Sequence, residues 1–234
     1  MMDTMRRALE QGLPHLGLTL PEERKDLLCR FAADMLAQNQ VMNLTAITAP
    51  DEVAKRHLLD SLSLLTAADM AGKRVIDIGC GAGFPGVPLK IACPDMELIL
   101  LDSLGKRMDW LSRELDILEI NAQCVTARAE EEAAKRTETC DIAVSRAVAR
   151  LNILLELAAP YVKVGGQILA MKGASWEQEL SEAKRAISVL GLQTETVRDF
   201  SREDGCNRVI VLKKVRPTPP RYPRRYAKIK QDPL

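Results

Sequence analysis

Residues 74–86 read Arg74-Val75-Ile76-Asp77-Ile78-Gly79-Cys80-Gly81-Ala82-Gly83-Phe84-Pro85-Gly86. An aliphatic run, broken once by Asp77, passes directly into a chain of glycines, and residues 87–92 then take helical spacing. A buried strand that turns on glycines into a helix is the layout of a nucleotide loop. Glycine permits the tight turn and lets a ligand come close to bare backbone. The next apolar run closes on Leu101-Asp102, about 20 residues further on, where a carboxylate accepts hydrogen bonds from the two hydroxyls of a ribose.

Outward from this stretch the chain alternates. Strand-like runs occupy residues 74–78, 97–101, 122–126, 141–145, 167–171, 193–198 and 208–215, and helical periodicity covers 87–92, 106–118, 152–161 and 176–190. The first and fifth runs are almost continuously aliphatic, as strands buried on both faces are. Strand alternating with helix predicts a parallel sheet between two helical layers, joined by right-handed crossovers. The last two runs have no room for a long helix between them, so they are expected as an antiparallel hairpin at the sheet's edge.

Residues 1–70 carry helical patterns only. Leu27, Leu28, Phe31, Ala32, Met35 and Leu36 form one amphipathic stripe. Thr19, Pro21 and Glu22 have the spacing of a capping box before it. A second helix follows Pro50-Asp51, with Ala54, Leu58, Leu62 and Leu65 on one face. The tail 216–234 is proline-rich and basic, with Asp232 its one acid, and is expected as an extended arm. Three segments result: a helical extension 1–70, a sheet domain 71–215 and the tail 216–234.

With 234 residues, 47% of them hydrophobic, the chain can fill a sizeable core, which excludes wholesale disorder. No apolar run approaches the roughly 18 residues of a membrane span, so no membrane is expected. Lys plus Arg number 33 against 32 Asp plus Glu, so global charge points to no nucleic-acid partner and any such case rests on local clusters. The six cysteines (29, 80, 93, 124, 140 and 206) form no CxxC pair, and His15 and His57 are the two histidines, so no metal site is expected. The amino terminus has no continuous apolar segment of the signal-peptide kind, and the reading is a reduced, cytoplasmic protein. Cys80 and Cys140 are expected to be packing residues.

The loop discriminates between nucleoside cofactors. A dinucleotide fingerprint needs glycine at the sixth position, where Phe84 stands. A pyrophosphate favours a positive helix start, whereas Asp77 adds negative charge beside it. A cationic sulfonium nucleoside tolerates that acid, so S-adenosylmethionine is favoured over a nicotinamide dinucleotide. Asp77, Gly79, Gly81, Gly83, Phe84 and Asp102 are the candidate cofactor residues.

At this point the chain resembles the 16S ribosomal RNA guanine-N7 methyltransferase family known as RsmG, or glucose-inhibited division protein B, over about residues 41–215. The resemblance is carried by Asn43-Leu44-Thr45, Arg56-His57-Leu58-Leu59-Asp60-Ser61-Leu62, the loop 79–86, Leu101-Asp102-Ser103-Leu104-Gly105-Lys106-Arg107, Val144-Ser145-Arg146-Ala147 and Met171-Lys172-Gly173. It implies an α/β fold of the class I methyltransferase (Rossmann-like) kind: a mostly parallel seven-stranded sheet, helices on both faces, and the helical extension at the amino terminus. It implies S-adenosylmethionine as cofactor, with the family's contacts falling on Gly79, Phe84, Ala129, Glu130 and Arg146. The implied partner is 16S rRNA or the 30S subunit, and the protein is separately expected to be a monomer. In the tail, Tyr222-Pro223-Arg224-Arg225 matches the family's ending and residues 226–232 depart from it.

The residues suit such chemistry. Guanine N7 has a free lone pair and no proton, so transfer needs alignment rather than a general base. No His or isolated Glu stands at the ends of the first, fourth or fifth runs, where reacting groups of such a fold gather. Ser145-Arg146-Ala147-Val148 does not form the Asn/Asp-Pro-Pro-aromatic clamp used for exocyclic amines. Arg146 and Lys172 end the fourth and fifth runs, as surface ion pairs or as contacts to cofactor, base or phosphate. Pattern alone makes His57 a structural helix residue. The resemblance, with the extension over the cleft mouth, places it with Asn43 and Asp60 around the target. Lys106, Arg107, Arg146, Arg150, Lys163 and the tail are the candidate RNA rim. A small-molecule methyltransferase, a nicotinamide oxidoreductase and a non-catalytic nucleoside sensor are the competing readings.

Overall fold

The computed structural model describes residues 1–200 and 207–234. The extension folds as α1 (Met2–Gly12), α2 (Glu22–Asn39), α3 (Pro50–Val53) and α4 (Asp60–Leu62), with a π-helical turn over Ala54–Leu59 joining the last two. The stripe anticipated on α2 is buried, Phe31 and Met35 completely, except for Leu27, which is half-buried at its edge. Two local details differ from expectation. Pro21, not Thr19, is the cap of α2, and its carbonyl accepts the Arg24 and Lys25 amides. Past Leu62 the chain tightens into a 3-10 turn over Ser63–Thr66, where Leu64 is fully buried and the anticipated Leu65 only half-buried.

Residues 74–214 give β1 (Arg74–Ile78), α5 (Gly86–Ala92), β2 (Glu97–Asp102), α6 (Gly105–Ile117), β3 (Gln123–Thr126), α7 (Ala129–Glu132), β4 (Cys140–Arg146) and α8 (Leu151–Ala158). They continue through β5 (Val162–Lys172), α9 (Trp176–Glu182), α10 (Lys184–Val189), β6 (Leu192–Asp199) and β7 (Arg208–Lys214). The described strands form one sheet in the order β3-β2-β1-β4-β5-β7-β6, parallel except where β7 runs against β5 and β6. This is the anticipated topology. β5 is longer than expected, because its first residue pairs with Cys140 and the register then slips before Ile142 meets Gln167. The helical stretch 176–190 divides at Ala183, whose ψ of 0° interrupts the ladder. Cys206 lies outside the described residues.

Side-chain alternation gives the sheet two faces. Val75, Leu98, Leu100, Val144, Leu169 and Val211 pack in one core with the extension, including Met5, Leu9, Phe31 and Leu58. Ile76, Ile78, Ile99, Leu101, Ile168 and Leu212 pack on the other with α8 and α10. Cys140 is buried here, a packing residue as expected. The described Cys29, Cys80, Cys93, Cys124 and Cys140 are free thiols. No helix among the described residues is long and apolar enough to cross a membrane.

The tail is not an extended arm. It ends in α11 (Tyr226–Gln231), with Ile229 and Leu234 buried. The cause lies on α8, where Glu156 is fully buried and needs a partner. Arg224 supplies it through Nε at 2.8 Å, Nη2 at 2.6 Å and its backbone amide at 2.9 Å. Upstream, the buried Lys214 Nζ donates to the carbonyls of Ala159 (2.7 Å) and Val162 (3.2 Å) and to Thr218 Oγ1 (2.6 Å), which pins the tail's first turn. Arg224→Ala is therefore expected to cost about 3 kcal/mol, the scale for deleting one member of a buried pair. It should also raise amide hydrogen exchange across residues 226–231. Unchanged protection there would show that Glu156 does not hold the tail.

Candidate functional site

The sheet order reverses between β1 and β4, and ligands of open α/β sheets bind in the crevice outside that point. A cleft of about 410 Å³ lies there, at the carboxyl ends of β1, β2 and β4. Its floor is the glycine loop. The amides of Gly79 and Cys80 both donate to the Leu101 carbonyl, at 2.8 and 3.2 Å, so the loop folds back over β2. Gly79 has φ +70°, and a Cβ there would stand 2.4 Å from Val148 Cγ2. Gly81, φ +55°, has nothing within 4 Å of such a Cβ, so bare backbone faces the cleft.

Asp102 ends β2 and ties two loops together. Its Oδ2 accepts the Gly81 amide at 3.0 Å and its Oδ1 the Leu104 amide at 2.9 Å. Each carboxylate oxygen offers two lone pairs, so one on each stays available for the vicinal hydroxyls of a ribose. Beyond it, Ile78, Leu101, Ala127, Ala129 and Leu157 make an apolar slot fit for a planar base, with Ser103 and Glu130 at its rim. Tyr226 of α11 closes the slot, and the Arg128 guanidinium lies 5.7 Å from its ring centroid. The docked tail thus forms part of the cleft. Sequence reasoning missed Tyr226, whose one signal was an aromatic among basic residues.

The opposite end is polar and buried. Arg146, at the end of β4, donates from Nη1 to the Arg56 carbonyl at 2.8 Å and from Nη2 to His57 Nδ1 at 3.0 Å. Its guanidinium lies 5.3 Å from the Phe84 ring centroid, and the His57 ring stacks on Phe84 at 4.8 Å. His57 Nε2 lies 2.8 Å from Thr45 Oγ1. Burial, reinforced by the Arg146 charge, pulls the His57 pKa down to about 3, so the ring is neutral. Arg146 has only hydrogens to offer, so Nδ1 is the acceptor and Nε2 carries the proton. Ala147 follows with φ +57°, a strained conformation for a residue with a Cβ, at the wall of a neighbouring cavity of about 400 Å³.

Not every sequence candidate reaches the cleft. Gly79, Gly81, Phe84, Asp102, Ala129, Glu130, Arg146 and His57 line it. Asp77 lies beneath the loop, where its Oδ2 accepts the Gly86 amide at 2.8 Å and its Oδ1 has no partner. Burial raises its pKa to about 7. Gly83 faces Val87, Leu111 and Phe31 instead of a ligand. Asn43 is exposed, and its carbonyl accepts Arg107 Nη2 at 2.9 Å. Lys172 and Asp60 border the neighbouring cavity. Lys172 Nζ is held there by the Ala149 carbonyl at 2.6 Å and Glu179 at 2.8 Å. Lys163 leaves the anticipated rim altogether: it pairs with Asp141 at the amino ends of β4 and β5, the far edge of the sheet. Burial pushes the Cys80 thiol up, so it fills space and is no nucleophile. No group of three His, Cys, Asp or Glu side chains that could hold a metal occurs among the described residues.

A family model described as rRNA small subunit methyltransferase G (GidB) matches residues 24–210. The chain belongs to this family. Proteins named Ribosomal RNA small subunit methyltransferase G are similar throughout: 43% identical in Lachnoclostridium phytofermentans, over 96% of this chain and 95% of that one, and 39% identical in Clostridium kluyveri, over 94% of each. Among solved structures, an O-methyltransferase from Bacillus cereus in complex with SAH superposes with a TM-score of 0.58 at 15% identity, covering 79% of this chain and 91% of that one. TYW2 from M. jannaschii in complex with AdoMet gives 0.54 at 14% identity, over 67% and 75%. At those identities the likeness establishes the fold, which is that of the class I methyltransferases.

His57 and Arg146 are thus joined in one neutral–cationic pair. With two histidines in the chain, imidazole nitrogen NMR resolves His57 directly. It is expected to stay in the neutral Nε2–H form from pH 8 to pH 5. A protonated ring at pH 6, or an Nδ1–H tautomer, would refute the pairing with Arg146.

Proposed function

We propose that the chain binds S-adenosylmethionine along the cleft and directs its methyl group to N7 of a guanine in the 16S rRNA of the small ribosomal subunit. The observation that carries this reading is the Asp102 carboxylate, fixed by two backbone amides at the mouth of an apolar slot in a chain of this family. The bare backbone of Gly81 and the spare lone pairs of Asp102 fit a nucleoside, and the slot beside Ala129 and Tyr226 fits its base. The bound cofactor supplies an electrophilic methyl on a sulfonium. What remains for the protein is to hold two reactants close and in line, an effect worth up to about 7–11 kcal/mol in well-aligned systems.

The polar end supports a nucleophile that needs no deprotonation. Both ring nitrogens of His57 are engaged, by Arg146 and by Thr45, and its depressed pKa removes it as a base. Arg146 borders both cavities and keeps N–H groups beyond its two bonded ones for the target or its phosphate. Segment by segment, the extension 1–70 provides the target side, the domain 71–215 the cofactor side, and the tail 216–234 the cover over the base slot. Of the anticipated rim, Lys106, Arg107, Arg146 and Arg150 are the cations that meet RNA. The protein acts as a monomer in the cytoplasm and without a metal.

The test is transfer of labelled methyl from S-adenosylmethionine to 30S subunits from cells lacking the enzyme, with the modified base mapped by mass. Label at guanine N7 is expected; label appearing in metabolites alone would refute the assignment. Asp102→Ala should raise the cofactor Kd at least about tenfold, or 1.4 kcal/mol. Arg146→Ala should lower turnover, and wild-type turnover would remove it from the reaction site.

A further inference from the structure

The proton inventory around His57 ends on Thr45, whose own hydroxyl hydrogen the mechanism leaves unassigned. Thr45 lines the cleft, and its backbone is fixed from α2: Asn39 Oδ1 accepts the amides of Leu44 (2.8 Å) and Thr45 (2.9 Å). Its hydroxyl has one hydrogen and two lone pairs. One lone pair accepts the Ile47 amide at 3.0 Å. The other accepts the Nε2–H of His57 at 2.8 Å, because Arg146 has already claimed Nδ1. Both acceptor positions are therefore filled, and no protein group receives the hydrogen among the described residues. A hydroxyl of this kind can give a hydrogen bond and cannot take one.

Resting on the reading of the site as a guanine-N7 methyltransferase, we propose that Thr45 is a specificity-determining residue whose hydroxyl donates to O6 of the target guanine. O6 stands beside N7 on the same base edge and is an acceptor, whereas adenine presents the N6 amino donor there. A threonine free to turn would accept from that amine. One locked by His57 and Ile47 meets it donor to donor, and a buried donor left unpaired is costly. Arg146 and His57 act here as positioning residues: the cation fixes the ring's tautomer and the ring fixes the hydroxyl. The contact orients the base and is not consumed in the reaction, since N7 attacks with its own lone pair.

Three enzymes decide it: wild type, Thr45→Ser and Thr45→Val. Each is given 30S subunits lacking the methyl group, carrying either guanine or adenine at the modified position. Cofactor affinity is measured in parallel. Thr45→Val is expected to bind S-adenosylmethionine as wild type does, to transfer methyl to guanine about ten- to a hundredfold more slowly, and to discriminate less against adenine. Thr45→Ser, which keeps the relay, should restore both rate and selectivity. If wild type labels the subunit and Thr45→Val matches it in rate and selectivity, the role of Thr45 is overturned and the guanine-N7 reading stands. A loss in Thr45→Val that follows weakened cofactor binding overturns it too, by making Thr45 a wall of the cofactor cleft. If wild type labels no guanine in the subunit, the reading and this inference fall together.

Discussion

The site depends on one carboxylate that accepts twice from the backbone. Asp102 takes the amide of Gly81 from the loop after β1 and the amide of Leu104 from the loop after β2. Charge-assisted bonds to backbone amides are among the stronger hydrogen bonds, and here they hold two loops in one arrangement. Gly81 meets the demand with no side chain in the way, because its absent Cβ would face empty cleft. The geometry that secures the loops also fixes where the unused lone pairs point. Structural anchor and proposed ligand contact are thus the same atoms.

At the other end of the cleft the problem is burial of charge. Arg146 sits almost enclosed, and burial lowers its pKa from the ordinary value while Asp60 and Asp77 favour the charged form. Its partners are a carbonyl, a neutral imidazole nitrogen and an aromatic face, none of them a neutralising carboxylate in direct contact. A guanidinium solvated this way keeps its field directed at the cleft, where a salt bridge would cancel it. Asp77 beneath the loop balances the region at a distance, with its one amide from Gly86.

Much of this was legible in the sequence, where the determining interactions are local. The run 74–86 gives strand, turn and helix from neighbours, and Asp102 is marked by its place at the end of the next strand. Asp77 was read as a cofactor residue because it borders the loop. Its alternation with Ile76 and Ile78 already turns it towards the face that carries the extension. What could not be read are pairings between distant positions. Arg146 meets His57 across 89 residues and Arg224 meets Glu156 across 68, and no periodicity records either. His57 is a different case: read from the pattern as a buried or half-buried helix residue, it is buried beside Ala54 and Leu58, three and one positions away on the same face.

The tail shows how composition misleads once a partner is buried. Proline and basic residues describe a solvated arm only while each cation remains in water. Glu156, sealed inside α8, removes that condition for Arg224, and a desolvated carboxylate is a stronger constraint than the tail's preference for extension. With Arg224 fixed, Tyr226 is carried against Arg128 and onto the base slot, so a segment that looked built for RNA becomes a wall of the cofactor cleft. In the reading proposed above, the cations that meet RNA are those around the cleft. That placement reconciles a net charge of +1 with an RNA substrate, because phosphate contacts need a local row of cations rather than a basic protein.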